Sequence, residues 1–448
     1  VEGLKQCEYP SDLDRTIRQR ERGRGMSLNQ CGRQGWVVFG IWFGLSWITA
    51  AADENWPEFR GPRGNGIAEA KGLPLRWSET ENIRWKTAIH DKGWSSPVIW
   101  GDQVWLTTAH EKGYDFYAIA VDRHTGRILH DLKLFTAEKP DDISRYNSYA
   151  SPTPAIEEGR VYVHFGSFGT ACLDTRTAEV IWKRTDLPCN HWRGPASSPV
   201  IYQNLLFLTF DGYDQQYVVA LDKLTGKTVW KRDRNIEYGT DDGDLKKAFS
   251  TPSVFEINGQ PQLVSPSAAA TIAYDPFTGE EIWRVYHGGM NEAMRPIRGH
   301  GLIFLNSGHT LNLLAVREGL KGDLTESGIV WKTPRGAPSR PSPLLIGDSL
   351  YVVSDQGVAT CLDARSGKMI WQERLGKATS ASPVFADGRI YSPDEDGRTF
   401  VYAASRQFQL LATNPLDAGC RASPAVVGDA IYLRTYTHLY CIGFPKRE

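Results

Sequence analysis

At residues 220–230 the chain reads Ala220-Leu221-Asp222-Lys223-Leu224-Thr225-Gly226-Lys227-Thr228-Val229-Trp230. The apolar residues that lead into Asp222 are typical of a buried strand, and the Asp and Thr side chains can hydrogen-bond the backbone of a turn. Gly226 can take the positive φ that such a turn needs. The next residues would return as an antiparallel strand, where the Trp230 ring can cover the seam to a neighbouring unit and bury about 150–250 Å². This Trp motif predicts one hairpin of an all-β repeat.

The Trp motif recurs along the chain, and such internal repetition is the signature of repeat architectures. Fuller copies occupy residues 273–283 and 361–371, a looser copy at 172–182 has Ala178 in place of Gly, and the copy at 120–130 has His130 in place of Trp. A partial copy at 329–332 keeps only the end of the strand. We predict that the tryptophans of this motif dock structurally between units; they are Trp85, Trp182, Trp230, Trp283, Trp331 and Trp371.

A second pattern, the Pro motif, reads Ser-x-Pro-Val, followed by an apolar run, a Gly-Asp or Asp-Gly turn, and alternating apolar residues. Pro suits the first position of a strand because no ladder donor is lost there, and Gly-Asp turns join hairpins. Together the two motifs predict four short antiparallel strands in each unit of about 45 residues. The copies, of which the one at Pro296 is degenerate, lie at Pro97, Pro154, Pro199, Pro252, Pro296, Pro343, Pro383 and Pro424.

The two ends of the repeat complement each other. The last unit, after Pro424, lacks a Trp strand, while a Trp strand without a unit lies near the start, at Ile83-Arg84-Trp85-Lys86. Pairing the two would close the ring and remove the exposed sheet edges that invite aggregation. The sequence therefore predicts an all-β fold, an eight-bladed β-propeller of four-stranded antiparallel blades closed by an N-terminal strand. The propeller is predicted for residues 82–448, after an N-terminal extension at 53–81.

Residues 1–52 have the features of an Arg-rich leader and a signal peptide. The first 25 residues are polar with five Arg, and after Met26 come an apolar run of 13 residues, 36–48, and three alanines at 50–52. A charged region, a short apolar region and small residues are typical of a secretory signal peptide, and the apolar run is short for a membrane span. We expect translation to start at Met26 and the mature chain to be periplasmic or secreted, without an integral membrane span.

The composition argues against several classes of function. The formal net charge is −1, so bulk electrostatics gives no reason to expect nucleic-acid binding. The Cys residues form no CxxC pair and therefore predict no zinc site. The acidic turns at 241–244 and 394–397 lack the Glu at the twelfth position of an EF-hand loop. No metal site is predicted.

The Trp motif resembles the tryptophan-docking motif of pyrroloquinoline quinone (PQQ)-type propeller repeats. Residues 55–62, followed by Trp77-Ser78-Glu79 and by 93–97, resemble the opening of secreted bacterial PQQ-like propeller proteins, and the resemblance covers about residues 53–444. It implies two kinds of relative. Quinoprotein dehydrogenases hold PQQ and calcium in the central funnel and use a pair of adjacent cysteines, whereas the outer-membrane assembly propellers act as protein-binding scaffolds.

The cysteine positions favour the scaffold class. No two Cys are adjacent and no CxxCH haem site is present, so we predict an exported, non-catalytic scaffold that binds a protein or ligand on its funnel face. The alternative is a PQQ- and calcium-dependent dehydrogenase that oxidises an alcohol or a sugar; PQQ and calcium are cofactors of that alternative alone. The sequence leaves open whether the chain is an enzyme.

The residues just before each Pro motif are predicted to ring the mouth of the central channel. Several are cationic and come from different blades, and cations among aromatic rings suit an acidic ligand. Alternatively, these cations pair with local carboxylates or face water. The predicted partner is an envelope protein or a small acidic or sugar ligand, and the candidate residues are Trp94, His191, Trp192, Arg193, Lys247, Arg295, Arg340 and Arg421.

Overall fold

The computed structural model describes residues 54–334 and 336–445. These residues form eight sheets, seven of four strands and one of five, and the predicted eight-bladed all-β propeller is confirmed. A short 3₁₀ helix, Gly243–Lys246, lies between two blades. In this part of the chain no helix is long and apolar enough to cross a bilayer. The leader predicted for residues 1–52 lies outside the described residues.

Strands are numbered along the chain and blades in the order in which the chain builds them; β1 (Ile83–Ala88) comes first but belongs to the last blade. Blade 1 holds β2 (Val98–Trp100), β3 (Gln103–Ala109), β4 (Asp115–Asp122) and β5 (Ile128–Thr136). Blade 2 holds β6 (Ala155–Glu157), β7 (Arg160–His164), β8 (Thr170–Asp174) and β9 (Val180–Arg184). Blade 3 holds β10 (Val200–Tyr202), β11 (Leu205–Asp211), β12 (Gln216–Asp222) and β13 (Thr228–Asp233). Blade 4 holds β14 (Ser253–Ile257), β15 (Gln260–Pro266), β16 (Ala270–Tyr274) and β17 (Glu281–Tyr286).

The second half of the ring repeats this order, from the innermost strand to the outermost. Blade 5 holds β18 (Ile297–Gly299), β19 (Leu302–Asn306), β20 (Leu313–Arg317) and β22 (Ile329–Thr333), while β21 (Gly322–Asp323) joins blade 4. Blade 6 holds β23 (Leu344–Ile346), β24 (Ser349–Val353), β25 (Val358–Asp363) and β26 (Met369–Arg374). Blade 7 holds β27 (Val384–Ala386), β28 (Arg389–Pro393), β29 (Arg398–Ala403) and β30 (Leu410–Pro415). Blade 8 holds β31 (Ala425–Val427), β32 (Ala430–Arg434) and β33 (His438–Ile442).

Blade 8 is completed by the N-terminal strand. β1 pairs antiparallel with β33, with Trp85 opposite Cys441 and Lys86 opposite Tyr440. Next to the axis, the Ser423 backbone N–H of blade 8 donates to Ser96 Oγ of blade 1 at 3.0 Å. The ring therefore closes both at its rim and at its centre, which covers the outer edge of β33.

The turn of the Trp motif and the neighbouring Trp fit each other sterically. In blade 3, Asp222 Oδ1 accepts the Thr225 N–H at 2.8 Å, and Gly226 has a φ of 71°. The Trp182 Nε1–H of blade 2 donates to the Lys223 carbonyl of this turn at 2.9 Å. A Cβ on Gly226 would lie 2.7 Å from Trp182 Cδ2, so the docked ring requires glycine, which the positive φ also favours. The same donation to the next blade's turn is made by Trp85, Trp230, Trp331 and Trp371.

Trp283 contacts its surroundings differently from the other tryptophans of the motif. Its Nε1–H donates to Gln262 Oε1 in its own blade, at 2.9 Å. Blade 5, which would supply the turn, carries an insertion at 318–328, and β21 within it pairs parallel with β17 beside Trp283. The insertion thus occupies the place where the other blades present a glycine turn.

The N-terminal segment 56–68, called the plug below, crosses one end of the central channel. Trp56 exchanges two backbone hydrogen bonds with Ile99 of blade 1, both at 2.8 Å. Glu58 pairs with Arg295 at 2.9 Å, at the entry to blade 5 on the opposite side of the ring. A segment that contacts the innermost strands of opposite blades must pass across the axis. The channel is therefore covered at this end.

Candidate functional site

The antiparallel order assigns each loop to one of two faces. Each innermost strand starts at the channel after its Pro and runs towards the plug, where Asn55 Oδ1 accepts the Gly101 N–H of the first turn of blade 1 at 2.8 Å. The loops between second and third strands, and the connections between blades, therefore lie on the other face. We call this the mouth face. The Thr-Gly turns of the Trp motif lie on the plug face.

A cavity of about 150 Å³ lies on the axis between the plug and the mouth. Phe59 of the plug lines it, together with Phe249, Trp94 and Tyr146. Two guanidinium groups, those of Arg340 and Arg421, also line it, and none of its described lining residues is acidic. The remaining wall consists of small and polar residues, most of them with hydroxyl groups: Ser96, Asn147, Ser151, Thr153, Ala196, Ser198, Thr251, Ala293, Ser380, Ser382 and Ser423.

A belt of hydroxyl groups surrounds the axis at this level. In seven blades the residue directly before Pro is Ser or Thr, and its Oγ accepts a backbone N–H from the preceding blade at 2.8–3.0 Å. Blade 5 has Arg295 at this position, so the belt is interrupted there. The seven belt residues are Ser96, Thr153, Ser198, Thr251, Ser342, Ser382 and Ser423.

Arg295 contacts the plug instead of lining the cavity. It is 2% exposed, its Nε–H donates to Ser253 Oγ at 3.1 Å, and its other donors reach the Phe59 carbonyl and the Glu58 carboxylate. Burial raises the pKa of Glu58, against the opposing effect of Arg295. Burial, with Arg295 nearby, lowers the pKa of Arg60 to about 9. This candidate of the predicted ring therefore holds the plug in place.

Arg340 and Arg421 line the cavity, and both are paired with carboxylates. Glu395 receives Arg421 Nη2 at 2.7 Å and Arg340 Nη1 at 3.3 Å, and Asp355 receives Arg340 Nε at 2.6 Å. The Arg421 guanidinium also lies 5.5 Å from the Trp94 ring centroid and 5.6 Å from that of Tyr146. Cation–π contacts of this kind help to fix a guanidinium in one position. We call these charged residues of blades 6 to 8 the charged corner.

Arg193 and Lys247 form a separate charge cluster around Asp244. Lys247 Nζ contacts Asp244 Oδ1, and Arg193 Nη2 lies 3.6 Å from Asp244 Oδ2. The Lys247 side chain is fully buried, and burial together with Arg193 lowers its pKa to about 8. Neither cation lines the cavity, so this cluster lies away from it.

His191 and Trp192 occupy the connection between blades 2 and 3. Burial lowers the pKa of His191 to about 4, and the Ser167 N–H donates to its Nε2 at 3.1 Å. Trp192 is 48% exposed, and its ring centroid lies 5.2 Å from that of Tyr213. The structure thus brings Trp94, Arg340 and Arg421 to the cavity and leaves the other predicted residues around it.

Neither sequence motif indicates a buried polar cluster that is formed by blades 3 and 4 and by the connection between blades 4 and 5. Arg234 forms a two-pronged pair with Asp211, at 2.9 and 2.7 Å, and both side chains are almost fully buried. Glu292 is also fully buried, neither of its carboxylate oxygens has a hydrogen-bond partner, and burial raises its pKa well above the usual range.

The residues do not fit the calcium and cysteine chemistry of the dehydrogenase alternative. In the described ranges no group of three or more His, Cys, Asp or Glu side chains is placed to hold a metal ion. The cavity wall there offers no carboxylate to calcium. Cys172, Cys189, Cys361, Cys420 and Cys441 are all free and buried. No step of a quinone reaction can be assigned to this wall.

Sequence reasoning missed the belt and the plug. The belt could have been found, because Ser or Thr directly before Pro fills the variable position of the Pro motif in seven copies. Phe249 lies three residues before Pro252, the spacing at which Trp94, Arg340 and Arg421 precede their own prolines, so the same rule could have found it. Tyr146 carried no signal, since it lies in a connection outside both motifs. Phe59 lies in the extension, which matches no repeat, so its place under the channel depends on the tertiary fold.

Comparison with known proteins places the chain near one family. The family model described as outer membrane protein assembly factor BamB matches residues 67–209 and 268–442. The protein of that name from Shewanella oneidensis is 23% identical over 307 residues, which is 63% of this chain and 72% of the relative. Two further relatives of the same name are matched over 59% and 48% of their own length.

Solved structures with the same fold include members of two functional classes. BamB from Moraxella catarrhalis aligns with a TM-score of 0.57 and 12% identity, over 80% of this chain and 99% of that one. A europium-containing methanol dehydrogenase aligns with a TM-score of 0.66 and 10% identity, over 86% of this chain and 90% of that one. At such identities the likeness shows the shared fold alone, because function depends on the site.

Proposed function

The chain belongs to the family of the outer membrane protein assembly factor BamB, a family of PQQ-like propellers, and from this premise we propose that it is a non-catalytic scaffold for outer-membrane protein assembly. In this proposal the chain works in the cell envelope, on the periplasmic side of the outer membrane. The predicted signal peptide supports that location. Its partner is a protein of the assembly machinery, which docks on the mouth face.

The observation that carries the proposal is an arc of exposed apolar side chains on the mouth face. Trp192 and Tyr213 lie in adjacent loops there with their rings in tilted contact, and they are 48% and 38% exposed. Protein interfaces are enriched in Trp, Tyr and Arg, and a few such residues supply most of the binding energy. The arc comes from the loops of blades 1 to 5 and consists of Tyr114, Tyr146, Trp192, Tyr213, Leu245 and Leu311.

The mouth face is asymmetric, which suits a partner bound in one orientation. The arc occupies blades 1 to 5, and the charged corner with Arg340, Glu395 and Arg421 occupies blades 6 to 8. Apolar anchors with a charged area beside them provide both affinity and register. We expect the partner to cover the arc and to meet the charged corner at its edge.

Site-specific photocrosslinking in the source organism tests the proposal. A photoreactive phenylalanine analogue replaces Tyr213 on the mouth face or, as a matched control, Phe277, which is 42% exposed in a turn on the plug face. Irradiation should link position 213 to a protein of outer-membrane assembly and leave position 277 unlinked. Trp192→Ala should then weaken the link at 213 and lower the amount of folded outer-membrane protein.

Two results would overturn this proposal. One is equal crosslinking from positions 213 and 277, and the other is a link from 213 to proteins unrelated to outer-membrane assembly. A separate experiment tests the dehydrogenase alternative. The purified protein is titrated with PQQ in excess calcium and then assayed for dye-linked oxidation of alcohols and aldoses. Saturable PQQ binding with turnover would establish the dehydrogenase alternative instead.

A further inference from the structure

The cavity on the axis has a wall of hydrogen-bond donors that lack acceptors. Each belt hydroxyl accepts one backbone N–H, and for none of the seven does the described structure supply an acceptor for its own proton. Six of these hydroxyls line the cavity: Ser96, Thr153, Ser198, Thr251, Ser382 and Ser423. A ligand there meets several O–H groups that need an acceptor.

Two N–H groups of cavity-lining residues also lack a hydrogen-bond acceptor. Arg421 Nε and Trp94 Nε1 are buried and have no hydrogen-bond partner. A buried donor without an acceptor is costly, and a neutral ligand with both donors and acceptors would satisfy these groups while leaving its own donors unpaired. An anion brings acceptors alone.

Charge points the same way. The cavity is lined by the guanidinium groups of Arg340 and Arg421, while their carboxylate partners Asp355 and Glu395 are not among its lining residues. Charge-assisted hydrogen bonds from guanidinium to carboxylate are among the stronger polar contacts in proteins. The electrostatic character of the wall therefore favours a negatively charged ligand.

Size and apolar surface narrow the ligand further. The cavity volume of about 150 Å³ suits a ligand of about six heavy atoms. Part of the wall is apolar and consists of Phe59, Phe249, Ala196 and Ala293. A hydrophilic phosphate would gain no binding energy from this apolar part. A carboxylate on a short apolar group satisfies both parts of the wall.

We propose that this cavity is a binding site for a free short-chain carboxylate, whose oxygens accept from the belt hydroxyls and from Arg421. The apolar end of the ligand packs against Phe59 and Phe249. The site shares Tyr146 with the arc that carries the proposed scaffold function, but the belt hydroxyls, Arg421, Phe59 and Phe249 that would hold the ligand lie outside the arc. Either proposal can therefore fail without the other.

The binding test uses the purified exported chain and calorimetric titration with propionate. Its isosteric neutral amide, propionamide, and inorganic phosphate serve as comparison ligands. Propionate should bind at least about tenfold more tightly than propionamide, because only the anion satisfies donors without bringing new ones. Equal affinities for propionate and propionamide, no binding of propionate, or tighter binding of phosphate would each overturn the proposal.

Two belt variants separate the site from the fold. Ser382→Ala and Ser342→Ala each remove one belt hydrogen bond, but Ser382 lines the cavity and Ser342 does not. Ser382→Ala should weaken propionate binding by about tenfold and Ser342→Ala by less than about twofold. Near-UV circular dichroism checks that each variant is folded. If Ser382→Ala does not fold, Arg421→Gln gives the same test, with a loss of about tenfold or more. Equal effects of the two serine variants, or undiminished binding by Arg421→Gln, would refute the site.

Discussion

The contact between Trp182 and Gly226 makes a quantitative prediction about how the blades hold together. In Gly226→Ala, the new Cβ would lie 2.7 Å from Trp182 Cδ2, at a residue whose φ is 71°. A left-handed conformation costs a non-glycine residue about 1–2 kcal/mol. Overpacking against the fixed indole costs about 1–3 kcal/mol more. We expect Gly226→Ala to lower the free energy of unfolding by about 2–5 kcal/mol.

A double-mutant cycle isolates the steric part of this cost. In a Trp182→His background the indole is absent, so Gly226→Ala should cost only the conformational part, about 1–2 kcal/mol. The chain contains a natural parallel: blade 1 has His130 in place of Trp, and the following turn has Ala178 at a φ of 62°. Ala178→Gly is therefore the matched control and should raise the free energy of unfolding by about 1–2 kcal/mol, the conformational part alone.

Guanidinium unfolding, followed by far-UV circular dichroism and by tryptophan fluorescence, measures these differences. Free energies are compared where the two probes give coincident transitions, since a chain of this size need not unfold in one step. The coupling between Trp182→His and Gly226→Ala should be about 1–3 kcal/mol. A coupling of zero would show that the docked indole does not impose glycine at this turn, and the reasoning would be refuted.

Three further perturbations follow from the buried charges. Glu292→Gln should be more stable than the wild type at about pH 8 and similar in stability at about pH 4. The folded-state pKa of Glu292 is raised from 4.5, so the contribution of Glu292 to folding stability is lost as pH rises. A difference in melting temperature that is the same at both pH values would contradict this. Burial lowers the pKa of His164 to about 3, so the stability of the wild type should fall as pH drops below 6.5. In thermal melts, His164→Gln should lose less stability than the wild type over this range. A steeper loss in the variant than in the wild type would contradict the prediction. Glu58→Ala leaves the Arg295 guanidinium buried without its charge partner and should cost about 3–5 kcal/mol in denaturant unfolding, whereas the exposed Glu69→Ala should cost less than about 1 kcal/mol; equal costs would count against the plug.

The fold could be predicted from the sequence because a propeller blade is built from local patterns. Each turn of the Trp motif places Asp and Gly a few residues apart, and the hydrogen bond from Thr225 to Asp222 forms within that segment. Ring closure was predictable for a different reason, since the last unit lacked one strand and residues 83–86 supplied it. Local pattern and counting were therefore sufficient for the architecture.

The site could be predicted only in part, because it depends on contacts between distant segments. A position a few residues before the Pro of a motif correctly indicated that a residue lies near the axis, and Arg340 and Arg421 do line the cavity. The same rule placed Arg295 on the mouth ring, but Glu58 draws its guanidinium towards the plug from more than two hundred residues away. No repeat pattern contains that pairing, since residues 56–68 cross the axis outside the repeat.

The belt connects the fold to the ligand proposal. A strand that starts at Pro beside the axis leaves the backbone N–H of the preceding residue without a ladder partner, and a hydroxyl of the next blade accepts it, as in the bond from Ser382 to Ser423. Each belt hydroxyl accepts a backbone N–H with its oxygen and keeps its own proton free to donate, and six of the seven belt residues line the cavity. A propeller stabilised in this way has a donor-rich centre before any ligand is considered. Selectivity must then come from what is added to the belt, which here is Arg421 above the belt and Phe59 below it. Loss of either side chain should alter ligand preference while the belt, and with it the ring, remains intact.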